Sequence, residues 1–150
     1  MIYGAGASKT VGSEARRLAV GKDPVLLVTD KGVMKVGIPD KIREIVEKEG
    51  LRVEVYDELA AEPTLQSARR LTEKARERKY SVVLGVGGGA AMDSAKIAAA
   101  VATNPGDVDN YIALYEDRVK EKTLPKILIP TTSGTGSEAT MFAVVIDAKG

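Results

Sequence analysis

Short apolar runs alternate with longer helical patterns along this chain, and this alternation constrains the fold more than any other feature of the sequence. Residues 25–29, 81–86 and 126–129 are rich in Val, Leu and Ile, which is typical of buried strands. Residues 52–56 alternate polar and apolar side chains, which favours a strand nearer an edge. Strands separated by helices predict an α/β fold, a Rossmann-like parallel sheet with helices on both faces.

The segments between these strands carry helical patterns. We expect helices over residues 8–19, from Pro39 to Gly50, from a start near Thr64, and over residues 90–103. Pro39 suits a first helical turn, and Gly50 suits the position just past a helix end. The last helix is apolar nearly all round, which predicts that it is buried.

The composition excludes several classes of function for this chain alone. The net charge is +1, from 22 basic and 21 acidic residues, so we expect no nucleic-acid partner and no membrane surface. The sequence has no cysteine and no histidine, which removes thiolate and imidazole chemistry. We therefore assign no catalytic residue and no metal ligand to the chain, and we expect a cytoplasmic location.

Three consecutive glycines, Gly87, Gly88 and Gly89, stand at the end of a predicted strand and the start of a predicted helix. A helix N-terminus offers free N–H groups and a partial positive charge, which suit a phosphate. Glycines let the backbone approach the phosphate oxygens without an intervening Cβ. The pattern indicates a phosphate-binding turn, and a tight turn without a ligand is the alternative.

Asp93 and Lys96 are the only charged residues on the apolar helix that follows. Their i, i+3 spacing places them on one face. Because a charge on a buried helix is costly unless it is paired, two interpretations stay open. The residues form a polar wall of a nucleotide cleft, or they form a structural ion pair.

Two further polar loops follow predicted strands. Asp30 comes directly after the first strand, where an acid can bind the ribose hydroxyls of NAD and repel the 2′-phosphate of NADP. A helix cap or a turn is the alternative for this residue.

Residues 130–138 combine two glycines with five hydroxyl side chains, which suits a polar ligand or a solvated loop. Parallel strands would bring both loops and the glycines to one edge of the sheet.

Together these segments resemble the N-terminal NAD-binding domain of the iron-dependent (group III) alcohol dehydrogenase family, which shares the fold of the dehydroquinate synthase N-terminal domain. The resemblance covers essentially the whole chain. It is carried by Thr29–Gly32, Glu62–Thr64, Gly87–Gly89 with Asp93 and Lys96, Ala102–Gly106 and Pro130–Glu138.

The resemblance implies an oxidoreductase that transfers a hydride between NAD and a small alcohol or aldehyde. It places the following residues at the cofactor: Asp30, Gly87, Gly88, Gly89, Asp93, Lys96, Thr131, Thr132 and Ser137. The glycines would approach the pyrophosphate, the hydroxyl side chains the adenine or nicotinamide side, and Asp30 the adenosine ribose, favouring NAD over NADP. Ala90 departs from the family, which usually has a serine there.

The family's metal ligands lie in a helical C-terminal domain. We therefore expect residues 1–150 to be the dinucleotide-binding domain, with iron or zinc held only in the complete protein. The apolar run 142–146 predicts a further strand that ends in a turn at 147–150 and lacks its hairpin partner. Exposed apolar surface left by an absent domain favours a homo-oligomer.

Three alternatives share the fold or the nucleotide site. A lyase resembling dehydroquinate synthase and a relative of glycerol dehydrogenase would have the same N-terminal domain. Residues 134–138 argue against both, because those groups usually lack this segment. A nucleotide-binding module without catalysis is the third alternative, and the absence of histidine favours it for this chain.

Overall fold

A computed structural model describes residues 1–59, 63–112 and 119–147. Within them, four strands form a parallel sheet in the order β2-β1-β3-β4. The strands are β1 (Val25–Val28), β2 (Val53–Tyr56), β3 (Val82–Gly87) and β4 (Lys126–Pro130). Residues 148–150 of the turn predicted at 147–150 and the motif residue Glu62 lie outside the described residues.

Helices connect these strands and cover the sheet. They are α1 (Val11–Leu18), α2 (Lys31–Lys35), α3 (Ile38–Lys48), α4 (Leu65–Glu77) and α5 (Gly89–Val101). Short 3-10 turns lie at Ala7–Thr10, Val108–Tyr111 and Ser137–Ala139. The four predicted helices are confirmed, whereas the short α2 was not expected. Helices in the described part of the chain fall short of the length and apolar character that a bilayer crossing needs.

The side chains of β1 alternate between two apolar cores, one on each face of the sheet. Val25 and Leu27 pack with α1 and α3 on one face. Leu26 and Val28 pack with α4 and α5 on the other. Helices on both faces bury this strand completely, which confirms the predicted α/β architecture.

Gly12 stands inside α1, where a glycine weakens helix propensity. A Cβ at this position would lie 2.5 Å from the carbonyl oxygen of Ile45 in α3. The glycine therefore allows the two helices to approach closely, so tertiary packing explains a residue that local propensity disfavours.

The strand order creates a switch point between β1 and β3. The chain passes from β1 to its neighbour β2, then crosses back so that β3 pairs with the other side of β1. In open parallel sheets, ligands bind beyond the carboxyl ends of the strands at such a point. The loops that follow β1 and β3 contain Asp30 and the glycines 87–89.

Two expectations for the strands were wrong. The run 142–146 forms no regular strand and makes one isolated bridge, between Thr64 and Ile146. The N–H of Ile146 donates to the carbonyl of Pro63 within this bridge, whereas the N–H of Val144 donates to the carboxylate of Asp93 and not to a strand. β4 is only partly buried, because within the described residues it is an edge strand with β3 on one side.

Candidate functional site

The turn between β3 and α5 is shaped by its glycines. Gly87 has a φ of +154°, and a Cβ there would lie 2.6 Å from the Cβ of Ala91, so only glycine fits. Its carbonyl accepts a hydrogen bond of 2.9 Å from the N–H of Thr131, which fixes the turn against the loop after β4. Gly88 and Gly89 follow at the start of α5.

The N-terminus of α5 is open. Gly88 precedes the helix, and no side chain caps it by a hydrogen bond. The N-terminal N–H groups of a helix have no partner within the helix, so this end can bind an anion. Thr132 Oγ1 lies 3.3 Å from the position of a Cβ on Gly88, and the Cβ of Thr135 lies 3.5 Å from that on Gly89. The loop after β4 therefore forms the facing wall of a narrow gap.

Asp30 lies on the other side of this turn. One carboxylate oxygen, Oδ1, accepts a hydrogen bond of 2.9 Å from the N–H of Val33, so Asp30 caps α2. The other oxygen, Oδ2, lies 3.5 Å from the Cβ position of Gly87. The buried hydroxyl of Thr29 donates to the carbonyl of Val86 at 2.8 Å and ties the ends of β1 and β3 together. The helix-cap interpretation is observed, and it leaves Oδ2 beside the glycines.

One turn further along α5, a buried polar network surrounds Lys96. Its ammonium lies 3.0 Å from Asp93 Oδ1 and 2.9 Å from Ser137 Oγ. It also donates to Thr140 Oγ1 at 3.2 Å and to the carbonyl of Phe142 at 2.8 Å. The side chains of Lys96 and Asp93 are only 5% and 11% exposed. Because these bonds span residues 137–142, they attach that segment to α5.

The carboxylate of Asp93 has protein partners on both oxygens. Ser137 Oγ donates to Oδ1 at 2.6 Å, and the N–H of Val144 donates to Oδ2 at 3.1 Å. The ion pair between Asp93 and Lys96 is therefore present, as one of the two interpretations expected. Pairing and hydrogen bonding offset the cost of burying both charges.

The residues predicted from the sequence fall into two groups. Those around the switch point are Asp30, Gly87, Gly88, Gly89, Thr131 and Thr132. Those in the buried network are Asp93, Lys96 and Ser137. The sequence reasoning did not select Thr135 or Thr140. Thr140 offered no local signal, because its partner Lys96 lies 44 positions away in the chain.

The described residues contain no group of three or more Asp or Glu side chains placed to hold a metal ion. The sequence contains no histidine or cysteine that could complete such a group. The described residues therefore do not fit a metal site.

Comparisons with known proteins identify the relatives of this chain. A family model described as iron-containing alcohol dehydrogenase matches residues 1–150. Long-chain-alcohol dehydrogenase 1 of Geobacillus thermodenitrificans is 43% identical over 143 residues, which cover 95% of this chain and 36% of that protein. Sulfoacetaldehyde reductase of Bilophila wadsworthia is 36% identical over 149 residues, which cover 99% of this chain and 38% of the relative.

Solved structures show the same fold. An archaeal halo-thermophilic alcohol dehydrogenase from a Red Sea brine pool has a TM-score of 0.87 at 30% identity, over 99% of this chain and 38% of that one. Sulfoacetaldehyde reductase from Bifidobacterium kashiwanohense, solved in complex with NAD+, has a TM-score of 0.83 at 26% identity, over 97% of this chain and 38% of that one. The chain thus spans between a third and two fifths of the length of these relatives.

Proposed function

The chain belongs to the iron-containing alcohol dehydrogenase family, and we propose that residues 1–150 form its dinucleotide-binding domain, which holds NAD at the carboxyl edge of the sheet. The complete protein would be an oxidoreductase acting on a small alcohol or aldehyde. NAD bound there would supply the site that accepts or gives up a hydride. The NAD+ complex of the related sulfoacetaldehyde reductase supports the choice of cofactor.

The observation that carries this proposal is the meeting of three loops at the switch point. The glycine turn after β3 lies between Asp30, which follows β1, and the threonines that follow β4. In the common Rossmann arrangement, an acid ends the strand next to the one that carries the glycines. Here β1 is that neighbouring strand, although it comes earlier in the chain than β3.

Each loop has a distinct task in this proposal. The N–H groups at the start of α5 bind the pyrophosphate, because Gly88 and Gly89 place no side chain in the way. Asp30 accepts hydrogen bonds from the adenosine ribose through Oδ2, while Oδ1 continues to cap α2. Thr131 and Thr132 contact the base. Asp93, Lys96 and Ser137 hold residues 137–142 beside the cofactor and shape the site through that segment.

The remaining assignments concern the protein as a whole. We propose that iron or zinc, as the family name and the resemblance suggest, is bound by residues outside these 150. A homo-oligomer and a cytoplasmic location stay predictions from composition and exposed apolar surface. The match to the iron-containing alcohol dehydrogenase model favours the oxidoreductase over the lyase.

The test is a calorimetric titration of the chain with NAD, repeated with Gly89→Ala. An added Cβ meets the Cβ of Thr135 at 3.5 Å, an ordinary contact, so the fold should be retained. The methyl narrows the gap to the facing loop, and we expect NAD to bind about tenfold more weakly, equivalent to about 1.4 kcal/mol. The thermal midpoint should stay unchanged or rise, because alanine favours helix.

Thr103→Ala is the matched control, because it makes a small change just past the other end of the same helix. It should leave the dissociation constant for NAD unaltered. Failure of the unaltered chain to bind NAD would contradict the proposal. Equal binding by Gly89→Ala and the unaltered chain would contradict the role of the glycine turn.

A further inference from the structure

A hollow of about 610 Å³ lies at the amino end of the parallel strands β1 and β2. It is formed by the last turn of α1, by the loop that leads from α1 into β1, and by the loop that leads from α3 into β2. Because the strands are parallel, this end of the sheet is opposite to the glycine turn. Its volume lies within the range of about 300–1,000 Å³ that is typical of pockets for small ligands.

Two glycines keep this hollow open. Gly21 and Gly50 stand in the two loops with φ of +70° and +78°, a left-handed conformation that favours glycine. No atom lies within 4 Å of the position that a Cβ would take on either residue. Leu51, which is only 6% exposed, contributes an apolar side chain to the lining. The hollow therefore combines open space with a small apolar surface.

Positive charge is concentrated around the hollow. Its lining includes Arg16, Lys22 and Arg52, which are all exposed, and none of the ion pairs among the described residues includes any of them. Asp23 is the one acidic residue of this lining, and it forms no ion pair there either. The lining thus has an excess of two positive charges, whereas the whole chain has an excess of one.

Stabilisation of a helix end explains only one of these three cations. Arg16 belongs to the last turn of α1, where a cation offsets the partial negative charge of the helix C-terminus. Lys22 and Arg52 lie in the loops before β1 and β2, outside any helix. Like charges around one hollow repel each other, and a bound anion would relieve that repulsion.

We propose that this hollow binds the phosphate monoester of a small organic molecule, at a site separate from the one proposed for NAD. Guanidinium groups match the geometry of phosphate oxygens, so Arg16 and Arg52 contact the phosphate together with Lys22. A phosphate monoester carries about −1.5 to −2 charges at pH 7, which matches the excess of two positive charges in the lining. The remaining volume accommodates the organic part beside Leu51.

The test is a calorimetric titration of the chain with phenyl phosphate and with phenyl sulfate. The two probes share a ring, but the sulfate has a single negative charge. We expect the phosphate to bind more tightly than the sulfate, and its affinity to fall with added salt because the cations are exposed. Saturation with NAD should leave the affinity for phenyl phosphate unchanged, since the two sites lie at opposite ends of the sheet.

Variants of the lining identify the groups that bind the phosphate. Arg16→Gln and Arg52→Gln should each weaken phenyl phosphate by up to about fivefold, as expected for an exposed charge pair. Asp23→Asn should strengthen it, a gain that loss of folding cannot produce. Arg17→Gln is the matched control, because Arg17 is adjacent on α1, pairs with Glu14 and is no part of the lining.

The outcomes separate this inference from the proposed function. The phosphate site is wrong if the unaltered chain fails to bind phenyl phosphate, binds phenyl sulfate equally well, or loses phenyl phosphate on addition of NAD. An equal loss of affinity in Arg17→Gln and Arg16→Gln would also overturn it, because general attraction by positive charge would then suffice. If phenyl phosphate behaves as expected but NAD does not bind, only the proposed function is contradicted.

Discussion

The first two turns of α5 differ in whether their polar groups have hydrogen-bond partners in the protein. In the first turn, Gly88 and Gly89 have no side chain, no side chain caps the helix, and Thr132 faces Gly88 across a narrow gap. In the next turn, Asp93 and Lys96 are buried, and the hydrogen bonds of both side chains go to protein atoms.

If NAD binds as proposed, this difference teaches that charged residue types are a poor guide to where a ligand binds. The residues that look most reactive, an aspartate and a lysine on a buried helix, are engaged in holding a segment of the chain. The residues without side chains leave backbone groups unsatisfied, and those groups are available to a phosphate. We therefore expect changes in the first turn to affect binding and changes in the second to affect stability.

Among the variants considered, Lys96→Met should cause the largest loss of stability, and it tests whether the second turn of α5 is structural. The variant leaves the carboxylate of Asp93 buried without its ion-pair partner, so we expect the free energy of unfolding to fall by about 3–5 kcal/mol. Urea denaturation followed by circular dichroism measures this change. Lys74→Met, which removes an exposed ion pair with Glu77, should cost less than about 1 kcal/mol.

A double variant tests whether the cost comes from the unpaired charge. Combining Lys96→Met with Asp93→Leu removes both charges and should regain part of the lost stability, because apolar replacements of buried pairs are often tolerated. Unchanged stability in Lys96→Met together with weaker NAD binding would contradict the comparison. That result would place the ammonium in the cofactor site rather than in a structural network.

Ser137→Ala should cause a smaller loss of stability than Lys96→Met and tests one hydrogen bond of the network. Its hydroxyl donates to Asp93 and accepts from Lys96, so its loss should destabilise the chain by about 1–2 kcal/mol. Ser133→Ala, at an exposed position in the same loop, is the control and should have no measurable effect. Equal stability of the two variants would show that the hydroxyl adds nothing to the network.

The smallest change is expected for the variant Ala90→Ser, in the first turn of α5, and it concerns the affinity for NAD. Ala90→Ser restores the hydroxyl that the resembled family usually has, and a hydroxyl beside the pyrophosphate should strengthen NAD binding about threefold. The thermal midpoint should stay the same, since the position is only partly buried. An unchanged dissociation constant for NAD would contradict the placement of the pyrophosphate at this turn.

Much of the fold could be predicted because its signals are local. The apolar run at 25–29 and the alternation at 52–56 identify a buried strand and an edge strand without knowledge of their neighbours. The run 142–146 carries a similar apolar signal, yet it forms only one isolated bridge, between Thr64 and Ile146, and the N–H of Val144 donates to the side chain of Asp93 and not to a strand. Periodicity identifies a segment that can form a strand, and the presence of a partner decides whether it does.

The sequence by itself determined the parallel α/β class, the glycine turn and the position of an acid after the first strand, because propensity and periodicity are properties of neighbouring residues. Only the tertiary structure decided that β1 lies next to β3, which places Asp30 beside Gly87 although 57 positions separate them. It also decided that Lys96 binds residues 137–142. Strand order and long-range pairing arise from packing between distant segments, and no local pattern specifies them.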